Sequence, residues 1–144
     1  MQLPKKSTLL KNEIRDADQR GEILSIVDES IQNVSIITCN SGSIRSNHFH
    51  YKDFHFMYVL EGEIDYFFID NHTKKIEYLK VSEGGNIFTP DNEVHATYFP
   101  VKTKLIVSSK HPRDQKTYEA DTERVSFVTP ENIEEMLEKY ARTK

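Results

Sequence analysis

Arg45-Ser46-Asn47-His48-Phe49-His50-Tyr51-Lys52-Asp53-Phe54-His55-Phe56-Met57-Tyr58-Val59-Leu60-Glu61-Gly62 is the stretch on which the reading of this 144-residue chain turns. Three of the six histidines lie within eight positions of it. Side chains in an extended strand alternate between faces, so His48 and His50 point one way, and His55, Met57 and Val59 share one face of the following strand. The stretch from Tyr51 to Phe54 reads as a tight turn that makes the two strands neighbours and lets three imidazoles converge.

On either side of this segment the hydrophobic period is mostly two. Glu22 to Ile26 and Val34 to Thr38 are Ile- and Val-rich runs bounded by Gly21, Asn33 and Asn40-Ser41-Gly42, as strands are. Phe56 to Leu60, Ile64 to Ile69 and Ile76 to Val81 are separated by Glu61-Gly62-Glu63 and Asp70-Asn71-His72-Thr73, which predicts a meander of adjacent antiparallel strands. Asn86 to Thr89 stops at Pro90, and Val94 to Phe99 and Leu105 to Ser108 follow. Short strands at this spacing predict a sandwich or barrel. Thr129-Pro130 then supplies an N-cap and a first-turn proline for one amphipathic α-helix. Its stripe of Ile133, Met136, Leu137 and Tyr140 faces the barrel or a partner subunit. The expected organisation is an N-terminal arm over residues 1–21, a barrel over 22–128 and a helix over 129–144.

The chain is 37% apolar and 29% charged, with 8 Phe, 7 Tyr and no Trp, the balance of one folded domain. The formal charge of -4 comes from interspersed residues of both signs, so no face is built to neutralise phosphates along a nucleic acid. Cys39 stands alone, which excludes an intrachain disulfide and a paired-cysteine zinc motif. Leu9-Leu10 is hemmed in by charges at Lys11 and Glu13, far short of a signal sequence or membrane span, so a cytoplasmic protein is expected.

Convergent imidazoles admit three readings: a transition-metal site, separately hydrogen-bonded core histidines, or a metal-free site with His48 as general base. His72 in a turn and His111 before Pro112 read as solvated loop residues. The polar run from Lys110 to Thr122 reads as an exposed connector, with a lid or subunit contact as the alternatives.

Two motifs add a resemblance. Gly42, five residues, His48-Phe49-His50, four residues, His55, six residues and Gly62 resemble the first cupin motif, with His55 at a position usually held by glutamate. Gly84, five residues, Pro90, four residues and His95 resemble the second, with Gly85 where Asp is common and Asn92 where Gly is common. The resemblance implies an all-β fold, a single antiparallel barrel of the jelly-roll type, usually dimeric. It also implies that His48, His50, His95 and the residue at position 55 ligate one divalent transition metal: Fe, Mn, Ni, Cu or Zn.

Asp18-Gln19-Arg20-Gly21 and Arg45 to His50 are similar to segments of cupins related to dTDP-sugar 3,5-epimerases and ketoisomerases, with Ser46-Asn47 replacing a common Gly-x pair. This narrower resemblance implies His48 as base and Arg45 as a holder of the anionic nucleotide sugar. The expected function is therefore a metal-binding cupin acting on a small polar molecule, such as a carbohydrate or nucleotide-sugar isomerase or epimerase, with a homodimer as its assembly. Tyr66 is a further candidate for moving the proton, whereas Tyr58 alternates away from His55. Oxygen chemistry at a histidine-only metal site and a non-catalytic ligand-binding module are the alternatives.

Overall fold

Most of the apolar runs of period two become strands in the computed structural model, which describes residues 2–142 and has twelve strands among them. They are β1 (Thr8–Leu10), β2 (Glu13–Asp18), β3 (Gly21–Ser25), β4 (Asn33–Cys39), β5 (Ser43–His50), β6 (His55–Glu61), β7 (Glu63–Ile69), β8 (Ile76–Ser82), β9 (Asn86–Thr89), β10 (His95–Phe99), β11 (Thr103–Ser109) and β12 (Thr122–Arg124). One five-stranded antiparallel sheet has the order β1-β9-β6-β11-β4, and a second has the order β12-β5-β10-β7-β8. Their inner faces share one core, with Met57, Val59, Ile87, Leu105 and Val107 from the first meeting Ile64, Phe68 and Phe99 from the second. This is the all-β jelly-roll arrangement expected from the sequence.

The expected meander is only partly formed. β7 and β8 pair along their whole length, but β6 pairs with β9 and β11 and lies in the other sheet from β7. The reason sits at Gly62, which adopts φ +92°. A Cβ there would lie 2.6 Å from the Lys102 carbonyl oxygen and 2.8 Å from the Thr103 Cα, so the chain turns a tight corner between sheets instead of closing a hairpin. β5 and β6 are likewise in different sheets, so their histidines meet across the core and not along a shared ladder.

At the N-terminus, β1 lies in the stretch read as an arm yet pairs with β9 as a sheet edge. The 22–26 run, expected to open the barrel, pairs instead with β2 in a separate two-stranded hairpin. Asn12 Nδ2 donates to the Gly84 carbonyl and Asn86 Nδ2 to the Ile26 carbonyl, pinning the base of that hairpin.

The segment from 110 to 122 is not a bare connector: it contains α1 (Gln115–Ala120), capped by the Asp114 carboxylate accepting from Thr117 N, and it leads into β12. At the C-terminus Thr129 Oγ1 accepts from Asn132 N and so closes the turn ahead of the helix, but the helix itself begins at Ile133 with Asn132 as its N-cap, three residues later than the sequence places it. α2 (Ile133–Met136) continues as a π-helical turn over Leu137–Ala141. Ile133, Met136 and Leu137 pack with Phe67, Ala96 and Val128 on the outer face of the second sheet, which settles the helix against the barrel. Met1, Thr143 and Lys144, which the expected arm and helix include, lie outside the described residues.

Candidate functional site

β5, β6 and β10 aim four imidazoles into one space. Ring centroids lie 4.6 Å apart for His48 and His50, 4.9 Å for His48 and His95, 5.4 Å for His55 and His95, and 5.6 Å for His50 and His55. Potential ligand nitrogens of His48, His50 and His95 all lie within 4.8 Å of one another. His55 stands beside this trio on the facing sheet.

A bulge adds Arg45 to the constellation. His95 pairs with His48 but Ala96 pairs with Ser46, so β5 carries an extra residue, and Ser46 and Asn47 adopt φ 70° and 57°. In a regular strand Arg45 and His48 face opposite sides. With one residue bulged out, both line the same interior chamber. Asn47 turns outward and accepts from Phe127 N and Val128 N, which locks the bulge to the segment preceding α2.

The tautomers follow from the partners. His95 Nδ1 lies 3.1 Å from the Glu93 carbonyl, which only accepts, so Nδ1 carries the proton and Nε2 presents a lone pair. The Thr122 hydroxyl gives its proton to the Tyr118 carbonyl, so it accepts from His50 Nδ1 at 3.2 Å and leaves His50 Nε2 bare. Both Nε2 atoms are buried without a hydrogen-bond partner among the described residues, as is His55 Nδ1.

Burial is the main cause that lowers each histidine. His48 falls to about 2, with His95, His50, Arg124 and Arg113 opposing its protonation further. His50 falls to about 4 although the Asp121 carboxylate, 4.0 Å from Nδ1, pulls the other way, and His95 falls to about 4. His55 is held well below its usual value. All four are therefore neutral near pH 7, and the contact between His50 and Asp121 is that of a carboxylate with an N–H dipole and not a salt bridge.

The chamber is small, about 80 Å³, and His48, His55, Arg45, Ser46 and Thr97 share its wall with Met57, Phe99 and Leu105. Arg113 and Tyr118 complete the wall. Tyr118, carried by α1, sets its ring 5.3 Å from His50 and 6.2 Å from His48, and the Arg113 guanidinium lies 4.7 Å over that ring. Beyond Tyr118 lies a cleft of about 710 Å³, lined among others by His50, Tyr51, Asp53, His111, Lys116 and Asp121.

Sequence reasoning missed Arg113, Tyr118, Asp53 and Asp121. The available signal was Tyr118 as the one Phe, Tyr or Trp between residues 110 and 122. His111 is also not the solvated loop residue expected. It is half-buried, its N–H donates to the Asp53 carboxylate, and its Nε2 is enclosed without a partner among the described residues. His72 is exposed in its turn, as expected.

Tyr66 faces inward but does not reach the chamber with its hydroxyl. That group shares hydrogen bonds with Ser7 Oγ at 2.6 Å and Thr89 Oγ1 at 2.7 Å, and burial pushes its ionisation upward. Its ring stacks on His95 at 6.0 Å with planes 8° apart, so Tyr66 braces a histidine. Glu93 closes the same network: both its carboxylate oxygens accept from Ser7, and burial raises it to about 7.

Two facing antiparallel sheets with histidines converging between them define an RmlC-like cupin fold. No family model matches the sequence, and no curated protein matches it either. Solved structures do match. A 3,4-ketoisomerase from Helicobacter canadensis superposes with TM-score 0.66 at 14% identity, covering 82% of this chain and 90% of that one. A sugar 3,4-ketoisomerase from Thermoanaerobacterium thermosaccharolyticum in complex with TDP gives 0.67 at 16%, covering 96% and 99%. A dTDP-4-dehydrorhamnose 3,5-epimerase from Sulfolobus tokodaii gives 0.67 at 14%, covering 88% and 81%. Among the described residues no helix is long and apolar enough to cross a membrane.

The donor set fits a divalent transition metal: three neutral imidazoles on strands, two with bare Nε2 atoms fixed by partners on the other ring nitrogen.

Proposed function

We propose that the chain is an isomerase or epimerase of a nucleotide-linked keto sugar that moves a proton at a carbon next to the carbonyl. One observation carries the reading: the buried, neutral imidazoles of His48 and His55 share a narrow chamber with Arg113 and with Arg45, which stands at its exposed rim. Neutral imidazole accepts a proton, and removing one beside a carbonyl puts negative charge on the oxygen. Cations held beside the reacting carbon stabilise that charge. The solved structures with this fold that act on TDP-sugars support the same chemistry.

His48, His50 and His95 would hold the metal, which when bound supplies a Lewis acid for the carbonyl oxygen. His55 is the imidazole outside the trio, lines the chamber and has an unpartnered Nδ1, so it is the group that takes the proton. The Asp121 carboxylate favours a second, metal-free reading. There Asp121 and Thr122 hold the proton on His50 Nδ1, and His50 Nε2 is the base.

We also assign a homodimer. Val34 and Ile36 on edge strand β4 are 63% and 69% exposed, and Ile14 and Ile23 of the β2–β3 hairpin are 56% and 61% exposed. An isolated hairpin is marginal in water, and a second copy would cover both faces.

The test incubates the protein with TDP-4-keto-6-deoxyglucose in D2O, beside elemental analysis of bound metal. Deuterium should enter the sugar, His55→Gln should abolish the exchange while keeping metal, and His95→Gln should lose metal. Exchange without any bound metal, abolished by Asp121→Asn, selects the second reading. No deuterium in this or related nucleotide keto sugars, with metal restored, refutes both.

A further inference from the structure

The chamber that holds the imidazoles has about 80 Å³, whereas sites for small organic ligands run roughly 300–1,000 Å³. The cleft outside it, at about 710 Å³, falls within that range. Tyr118 lines both spaces. On the protein side of its ring are His48 and His50, and the Arg113 guanidinium stacks on that ring.

The segment that carries Tyr118 is fixed at its ends and light in the middle. At the leading end Lys110 N donates to the Phe54 carbonyl and His111 N to the Asp53 carboxylate. At the trailing end Asp121 accepts from Tyr51 N through its backbone and from Lys52 N and Asp53 N through its side chain. Both anchors grip the turn between β5 and β6. Between them no residue of α1 is buried, and Tyr118 is the ring that reaches the histidines. Elements with little buried surface and fixed ends are those that open locally without unfolding the body.

The geometry points to Tyr118 as a gate and size filter for the histidine chamber. With the ring in place His48 and His55 are walled off from the cleft, and His50 alone of the four imidazoles borders it. When the 112–120 strap lifts the ring, chamber and cleft become one site that admits a ring-sized ligand to His48 and His55 and leaves the rest of it in the cleft. Closure on such a ligand excludes water from the proton-moving groups, a task commonly given to mobile loops. Size admission thus rests on one aromatic side chain on a six-residue helix.

The test needs no sugar, so its failure is distinct from failure of the proposed reaction. Chelator-treated protein at pH 7.5 is acylated with diethyl pyrocarbonate, which attacks neutral imidazole, and each histidine is read by peptide mass spectrometry. Exposed His72 serves as internal reference for reagent and folding. In the wild type, His48 and His55 should react at least tenfold more slowly than His72. Tyr118→Ala should raise their rates by about tenfold, and Tyr118→Phe should leave them as in the wild type, because the ring and not the hydroxyl is the barrier. Hydrogen exchange in the wild type should show amides 115–120 opening far faster than those of β6. Cluster rates equal to His72 in the wild type, or unchanged in Tyr118→Ala, would overturn the gate. So would a strap whose amides exchange only together with β6.

Discussion

Acidifying the metal-free protein from pH 7.5 to 5 should destabilise it markedly, and the amount follows from the histidine cluster. Imidazoles in the unfolded chain titrate near 6.5, whereas His48 is lowered to about 2 and His50 and His95 to about 4. A group whose folded pKa lies below its unfolded one contributes stability above the unfolded value and loses it as pH falls toward the folded value. At pH 5 the unfolded chain therefore binds nearly one proton at each of these three sites and the folded chain almost none. That costs about 2 kcal/mol per site, or roughly 6 kcal/mol together. His55, lowered in the same direction, adds to the loss.

Glu93 opposes it. Raised from 4.5 to about 7, Glu93 favours the folded state when protonated, so its benefit is present below pH 4.5 and lost as pH rises through 7. Acidification returns about 2 kcal/mol from Glu93, and Asp53, also raised by burial, acts the same way. The net loss is about 4 kcal/mol before His55 is counted, against total stabilities of roughly 5–15 kcal/mol for domains. Urea melts followed by far-UV circular dichroism at pH 7.5, 6.5 and 5 measure this directly. Stability that is flat or rises between pH 7.5 and 5 would refute the burial of neutral imidazoles on which the site is built.

Gly62→Ala should destabilise by at least about 2 kcal/mol in thermal melts, because φ +92° and a Lys102 carbonyl 2.6 Å from the added carbon act together. Tyr66→Phe should cost about 1 kcal/mol through the hydroxyl network with Ser7 and Thr89, yet leave deuterium exchange into substrate within a few-fold of wild type, since this hydroxyl takes no proton. Val34→Asp with Ile36→Asp should halve the mass measured by light scattering on a sizing column without lowering the melting temperature of the monomer fold. A wild type that is already monomeric contradicts the dimer assignment.

The strands from β6 to β11 were legible because short runs rich in aromatic and β-branched residues, broken by Gly, Pro and Asn-Asp punctuation, are too short for helices. Alternation fixes faces, however, and not partners. His55, Met57 and Val59 do share an inner face, while the neighbour assumed for their strand was wrong. The histidines still converge because the two sheets face each other, so parity alone sufficed for the cluster. β2 was not legible: Glu13, Arg15, Asp16 and Asp18 leave no apolar period to read. α1 was hidden for the same reason, since a six-residue helix with no buried residue has no stripe. The bulge at Ser46 and Asn47 also escaped, although it alone turns Arg45 to the side of His48. Only its pairing with Ala96, about fifty positions away in the sequence, reveals it.

The arginines bind these features into one device. Arg45 and Arg113 line the chamber, and Arg124 pairs through its backbone opposite His48 in the adjoining strand. None of the three forms an ion pair with a carboxylate among the described residues. A chain of formal charge -4 thus presents a locally cationic entrance. Such a field draws in an anionic ligand, and by the same sign it opposes protonation of His48. The two effects separate with salt. Screening at high ionic strength should slow capture of an anion, whereas the imidazoles stay neutral because burial, which salt does not screen, is the first cause of their lowered pKa. A fall in affinity for a nucleotide with rising salt, at an unchanged pH dependence of the chemical step, is therefore the signature of this arrangement.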